Sequence, residues 1–238
     1  MIKVIKRILK SLFWSQILKI HIGRYQKTLK PGGGFKVIFG GHWADHAGWL
    51  TLNEADQDIT RKLAFPDESV DIIFTEHVIE HVSFIDGISF MRESKRILKH
   101  GGVFRVVIPA LEKLLNVSLE DDMGKIYIQN LVRFYKKEDD IFGELGFNGL
   151  SEFYRTFFFN SIFCGYGHRF IWSAGLMVKV LKSLGYGEVR IYEVGQGSNE
   201  EYCIERRRRG LYLGNDWKED RSEKYIYDVE SLVIEAKK

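Results

Sequence analysis

The sequence predicts a doubly wound α/β fold, built on a parallel sheet and carrying a helical cap insertion. Three observations predict it. From Phe35 onward, short apolar runs alternate with helical segments, as βαβ units require. The runs VDIIFT (Val70 to Thr75) and VFRVVI (Val103 to Ile108) are almost continuously apolar, which suits strands covered on both faces. A long, helix-prone and aromatic stretch at about 111–170 then interrupts the alternation before it resumes. A chain of 238 residues that is 45% hydrophobic can bury one substantial core, so we divide it into an arm, 1–34, and one domain, 35–238.

The arm begins MIKVIKRILKSLFWSQILKI. Val4, Ile5, Ile8, Leu9, Leu12 and Phe13 recur at helical spacing, with Lys3, Lys6, Arg7 and Lys10 between them, the pattern of a basic amphipathic helix. Lysines interrupt its apolar run, and no small-residue cleavage site follows, so it does not read as a signal peptide. Residues 1–30 are candidates for contact with their own domain, a partner chain or a membrane surface, and a homodimer is compatible with the second of these. Pro31-Gly32-Gly33-Gly34 separates the arm from the domain.

Phe35 to Phe39 reads as the first strand, ending at Gly40-Gly41, and Leu50 to Leu52 as the second. Val70 to Thr75 is the third. Val82 to Leu98 places Phe84, Ile88, Met91, Ile97 and Leu98 on a helix that Gly101-Gly102 terminates. Val103 to Ile108 follows as a strand, closed by Pro109. After the insertion come a helix, Ser173 to Leu184, ended by Gly185, then strands Glu188 to Val194 and Ser231 to Ala236. Between the last two lies a charged connection with Arg206 to Arg209, a solvated run or a holder of acceptor phosphate or carboxylate.

Bulk composition narrows the function. A net charge of +3 from 35 Lys+Arg and 32 Asp+Glu gives no reason to expect a nucleic-acid surface. Cys164 and Cys203 lie far apart without metal-ligand spacing, which argues against zinc and against a disulfide-built secreted fold. A reducing, cytoplasmic setting is the simpler expectation. No stretch has the roughly 20 uninterrupted apolar residues that a membrane-spanning helix needs.

In a doubly wound sheet, ligands bind beyond the carboxyl ends of the strands, where the strand order switches. Gly40-Gly41 lets a ligand approach the backbone there, or simply makes a tight turn. Asn53-Glu54, followed by Asp56 and Asp58, offers hydrogen-bond acceptors after the second strand. After the third comes Glu76-His77-Val78-Ile79-Glu80-His81, a doubled Glu-His. If helical, it puts Glu76 and Glu80 on one face with His77 and His81 beside them. The repeat is not HExxH and no third ligand has a determined position, so no metal is expected; capping and hydrogen bonding beside a ligand is the reading taken.

The run from Phe65 to Leu115, FPDESVDIIFTEHVIEHV, MRESKRILKHGG and VFRVVIPALEKLL, resembles the central half of class I S-adenosylmethionine-dependent methyltransferases, in particular their small-molecule, type 11-like branch. Val37 to Gly41 is similar to the first motif strand of that family, GWLTL (Gly48 to Leu52) to the second, and IWSAGLMVKVLKSLGYGEVRIYEVGQGS to the late helix and strand. The resemblance implies a doubly wound, Rossmann-like methyltransferase sheet, mostly parallel with its last strand antiparallel, and S-adenosylmethionine as cofactor, with S-adenosylhomocysteine as product. By position, Phe39, Gly40 and Gly41 would approach the methionine part, Asn53 and Glu54 would receive the ribose, and Asp58 and Ile59 would border the adenine. Glu76 and His77 would lie beside the sulfonium. Two positions depart from the pattern: Gly40-Gly41 runs straight into His42-Trp43-Ala44-Asp45, and Asn53 stands where an acidic residue is expected, with Glu54 one place later.

Methyl transfer needs alignment of donor and acceptor and, for a hydroxyl or amine acceptor, removal of a proton. The candidate bases are His77, His81 and His168. The aromatic segment Glu152 to Trp172 either walls an acceptor pocket or fills the core of the insertion; as a wall, it implies a small-molecule, glycan-linked or lipid-linked acceptor with apolar or ring surface. A protein that keeps the fold but has lost the chemistry, serving as a binding or scaffold subunit, is the alternative. A dehydrogenase is disfavoured because GxGxxG is absent.

Overall fold

Side chains alternate across a pleated strand, and the apolar runs of this chain use both faces. In β1 (Lys36–Phe39), Val37 and Phe39 point into one core and Ile38 into another. β2 (Leu50–Leu52) and β3 (Val70–Glu76) flank β1 in parallel, so that Leu52, Phe39 and Thr75 fall in one row. The computed structural model describes residues 34–40, 47–118, 136–147, 153–205 and 230–238, with Lys125 and positions 18–20, 22–23, 25 and 27. The rest of the basic arm, Gly41 and Arg206 to Arg209 lie outside the described residues.

The six strands run in the order β2-β1-β3-β4-β6-β5. β4 (Leu98–Pro109) is parallel to β3, whereas β6 (Ser231–Lys237) is antiparallel to both β4 and β5 (Glu188–Tyr192). This is the mostly parallel, Rossmann-like sheet expected from the sequence. The chain leaves β1 for β2 on one side and returns to β3 on the other, which sets the switch point, and hence the crevice, between β1 and β3.

Helix α1 (Phe84–Ile97) covers one face, burying Phe90, Met91 and Ile97. Ser83 caps it, its hydroxyl accepting from the Asp86 amide. At its other end Arg96 donates to the carbonyls of Leu63 and Phe65 and pairs with Glu93 and Asp67, so the FPDES loop is pinned to the helix. The helix stops at Ile97, short of Gly101-Gly102. Leu98 already pairs with Val70 of β3, and the glycines instead serve a turn within β4. There Gly101 has φ of 76°, and a Cβ on Gly102 would lie 2.9 Å from the Lys99 carbonyl.

Between β4 and β5 come α2 (Leu111–Leu115), α3 (Lys136–Glu144), α4 (Tyr154–Cys164) and α5 (Ala174–Ser183). Leu114 of α2, Phe158 and Ile162 of α4, and Ile171 form a core of their own. Phe153, Phe163 and Tyr166 remain exposed. The aromatic stretch thus divides between core and surface. No helix among the described residues is long and apolar enough to cross a membrane.

On the face opposite α1, the fully buried Arg105 of β4 pairs with Glu205 and, at 2.6 Å, with Glu235 of β6. The same carboxylates receive the amides of Gly195 and Ser198, so the loop after β5 is tied to the sheet by charge. Burial disfavours the charged guanidinium, but Glu205 and Glu235 outweigh it and raise its pKa above the usual arginine value. Removing one member leaves buried charge uncompensated. Arg105→Ala should therefore destabilise the protein by about 3–5 kcal/mol, read as the shift in the urea-unfolding midpoint.

Candidate functional site

The carboxyl ends of β1 and β3 meet at Gly40. Its φ of 85° suits glycine, and a Cβ there would fall 2.1 Å from Val78 Cγ2. The absent side chain therefore accommodates the segment leaving β3, while the Gly40 amide donates to the Leu52 carbonyl at 2.8 Å. The Thr75 hydroxyl, buried in the same row, has no hydrogen bond among the described residues.

The doubled Glu-His does not form the helix that its spacing would allow. Glu76 ends β3, and His77 adopts a left-handed φ of 50°, which interrupts any helix at once. Only Ile79–His81 makes a single tight turn. The two glutamates are consequently not stacked on one face. Instead Glu80 folds inward, fully buried, and Nδ1 of His77 lies 3.3 Å from its Oε1. His77 Nε2 is 2.8 Å from the Ser231 hydroxyl. Both ring nitrogens of His77 are thus occupied within the protein.

His168 reaches this cluster from the end of the insertion. The amides of Arg169 and Phe170 donate to the Glu80 carbonyl at 2.7 and 3.1 Å, and Phe84, Phe170 and Trp172 pack ring against ring over the start of α1. This staple sets the His168 ring 4.9 Å from the ring of the exposed His81. The Nδ1 of His168 is 2.6 Å from the Ile162 carbonyl, so Nδ1 carries the proton and Nε2 keeps its lone pair.

Electrostatics divides the histidines. Burial lowers the affinity of His77 for a proton, but Glu80, with Glu230 and Glu76, more than restores it, and its pKa stands above the ordinary value. For His168 burial prevails, with His81 and His77 adding to it against the Ile162 carbonyl and Glu80, and the pKa is lowered. The two rings are thus shifted in opposite directions, His77 toward holding its proton and His168 toward losing it.

The residues expected to surround the ribose and adenine are largely occupied by local contacts. Asn53 Oδ1 accepts from the amides of Ala55 and Asp56. Asp58 accepts from the Thr60 amide and hydroxyl and pairs with Arg61 at 3.2 Å. The side chains of Phe39 and Ile59 belong to the core, so only their backbones can border a ligand. Glu54 is exposed and has no hydrogen bond among the described residues. Two site residues went unassigned from sequence, Glu80 and Ser231. The second Glu-His of the repeat was a signal for Glu80; nothing local marks Ser231, which reaches His77 only through the antiparallel return of β6.

Residues 44–106 match a family model described as a methyltransferase domain. No curated protein matches the chain. Among solved structures, an S-adenosylmethionine-dependent methyltransferase of Thermotoga maritima is similar at 16% identity, covering 99% of this chain and 97% of that one, with a TM-score of 0.40. One from Archaeoglobus fulgidus is 12% identical over 94% of each chain, with a TM-score of 0.41. Another, from Mesorhizobium loti, is 10% identical over 91% of this chain and 96% of that one, with a TM-score of 0.44.

The opposed environments can be read directly. In buffer containing a chelator, NMR titration should place His77 above the ordinary histidine pKa of about 6.5 and His168 below it, with assignments from His77→Gln and His168→Ala. Because the folded pKa of His77 is raised, its contribution to stability is present below about pH 6.5 and fades as pH rises through the folded value. The contribution of His168 has the opposite sign, present above about pH 6.5 and lost as pH falls.

Proposed function

We propose that this chain, which carries a methyltransferase domain through residues 44–106, uses S-adenosylmethionine to methylate an oxygen or nitrogen of a small-molecule, glycan-linked or lipid-linked acceptor. The observation that carries this reading is the carboxylate and histidine cluster Glu76, His77, Glu80, His81 and His168, gathered at the switch point of the sheet beside the close approach of Gly40 to Val78. The chemistry of the donor set fits the cofactor. A ribose diol and a cationic sulfur call for hydrogen-bond acceptors and negative charge, and Glu54 and Asp58 follow β2 while Glu76 ends β3, the two strands that flank β1.

S-adenosylmethionine supplies a methyl group already activated by positive sulfur, so the protein's part is to align, to complement charge and to exclude water. Glu54 takes the ribose role expected of Asn53, whose side-chain oxygen is committed to its own turn. Asp58 retains acceptor capacity beside the Thr60 cap for an adenine amino group. Glu76 sets negative charge at the end of β3. His77, with both nitrogens engaged, positions Glu80. His81 and His168, with their rings 4.9 Å apart, are the groups to take a proton from the acceptor. The exposed rings of Phe153, Phe163 and Tyr166 favour an acceptor with apolar or ring surface.

Titration calorimetry with S-adenosylhomocysteine, with NAD as control, tests the reading. Micromolar binding of the first alone is expected, and Glu54→Ala, a substitution at an exposed position, should weaken it about tenfold, equivalent to about 1.4 kcal/mol. Binding of NAD instead would overturn the reading, and binding of neither would favour the lapsed scaffold, to which the committed Asn53 side chain also points. With labelled methyl groups and a metabolite extract as acceptor source, His168→Ala should lower transfer by about 100-fold or more without changing affinity for S-adenosylhomocysteine.

A further inference from the structure

Glu80 and His81 lie in the turn that follows β3, and His168 arrives from the segment between α4 and α5. One donor atom from each of the three lies within 4.8 Å of the other two. Their chemical state matters as much as their distance. Glu80 is fully buried, and neither of its carboxylate oxygens has a hydrogen bond among the described residues. The ion-pair contact with His77 serves Oε1, so Oε2 is left without any partner among the described residues, a condition in which a buried carboxylate oxygen favours a bound cation.

The histidines are prepared in a complementary way. A ligating imidazole has to be neutral, with its second nitrogen donating to a carbonyl or carboxylate that fixes the tautomer. His168 meets this requirement through the Ile162 carbonyl at 2.6 Å. Behind Glu80, the chain Ser231–His77–Glu80 orients the carboxylate as an outer shell does. His81 is exposed, which leaves its ring free to turn toward the other two donors.

The geometry points to a divalent transition-metal site made by Glu80, His81 and His168, with His77 and the Ile162 carbonyl orienting two of the three ligands. Two imidazoles and one carboxylate suit zinc, cobalt or ferrous iron, whereas magnesium and calcium call for oxygen ligands. Donors bound to one such ion at about 2.0–2.2 Å stand about 3.4 Å apart in a tetrahedral site. The present spread, within 4.8 Å, has to contract on binding, and His81 at the surface is the ligand with most room to move. Three protein ligands leave a coordination position open, as catalytic rather than structural sites do. Its occupation by the acceptor's oxygen or nitrogen rests on the methyltransferase reading, since a metal there would ease loss of the acceptor's proton. Metal binding itself does not rest on it.

The test uses the full chain without a histidine tag, stripped with chelator and titrated with Co²⁺ in the absence of any S-adenosyl compound. One Co²⁺ per chain is expected, with the visible d–d absorption of a low-coordinate site, displaced by Zn²⁺. His81→Ala, which removes an exposed ring and does not burden the fold, should lower affinity at least tenfold and change the spectrum. His77→Gln should weaken binding about 10- to 100-fold, as loss of an outer-shell partner does. Glu80→Gln is read together with circular dichroism because its side chain is buried. Absence of Co²⁺ and Zn²⁺ binding by the wild-type chain, or wild-type affinity and spectrum in His81→Ala, would overturn the site and leave His81 and His168 as a ring pair only. Calorimetry with S-adenosylhomocysteine on the same preparation separates this outcome from failure of the methyltransferase reading.

Discussion

The chain has to leave β3 directly beside the end of β1, and the space there is a single missing methyl group. Gly40 gives up its side chain to Val78, which would otherwise collide with a Cβ at 2.1 Å. His77, one residue earlier, absorbs the change of direction in a left-handed conformation that costs a non-glycine residue of order 1 kcal/mol or more. Neither feature is stable alone. The turn is held because the Glu80 carbonyl accepts two amides from the cap exit and the His77 ring is fixed between Ser231 and Glu80. What looks like a loop is therefore determined from three sides: β1, β6 and the end of the insertion.

The sheet face that carries Arg105 and the turn beyond β3 handle buried charge differently. On the sheet face, Arg105 is enclosed by two carboxylates, which in turn accept backbone amides, so the network closes on itself and fixes a loop. In the turn beyond β3, Glu80 is equally buried, but its ionic contact among the described residues is a histidine at 3.3 Å on Oε1, and Oε2 has no partner among them. Two side chains of the same chemistry, similarly buried, thus differ in what their surroundings supply. A closed network specifies structure, whereas an under-supplied carboxylate at the mouth of a crevice marks a place where something else is bound.

Most of the fold was legible because burial on both faces leaves a strong mark: VDIIFT and VFRVVI can only be central strands, and Ser173 and Gly185 bracket their helix as cap and stop. The local errors have local physical causes. Gly101-Gly102 looks like a helix terminus, but Leu98 is claimed earlier by β3, and tertiary pairing overrides the punctuation. The Glu-His repeat looks helical, but its first residue is consumed by the strand. At the site, the residue types were legible and their partners were not. Asn53 and Asp58 were read as ligand acceptors, yet short polar side chains also bond readily to their own turns, as both do here. The approach of His168 to Glu80 spans the whole insertion, and no periodicity reports a contact of that separation.

The cap exit is what turns a strand end into a site. A doubly wound sheet supplies a crevice and backbone groups wherever its order switches, but it has few side chains to place over that crevice, since strand residues point up or down. Here the segment between α4 and α5 is pinned by the amides of Arg169 and Phe170 to the Glu80 carbonyl and by Phe170 and Trp172 to the first turn of α1. The same few residues that anchor it deliver His168. The anchor and the chemical group cannot be varied independently: loosening the aromatic staple moves His168 away from Glu80 and His81, and shortening the insertion removes it. The core made by Leu114, Phe158, Ile162 and Ile171 consequently bears on the site as well as on stability, because Ile162 also presents the carbonyl that holds the His168 ring.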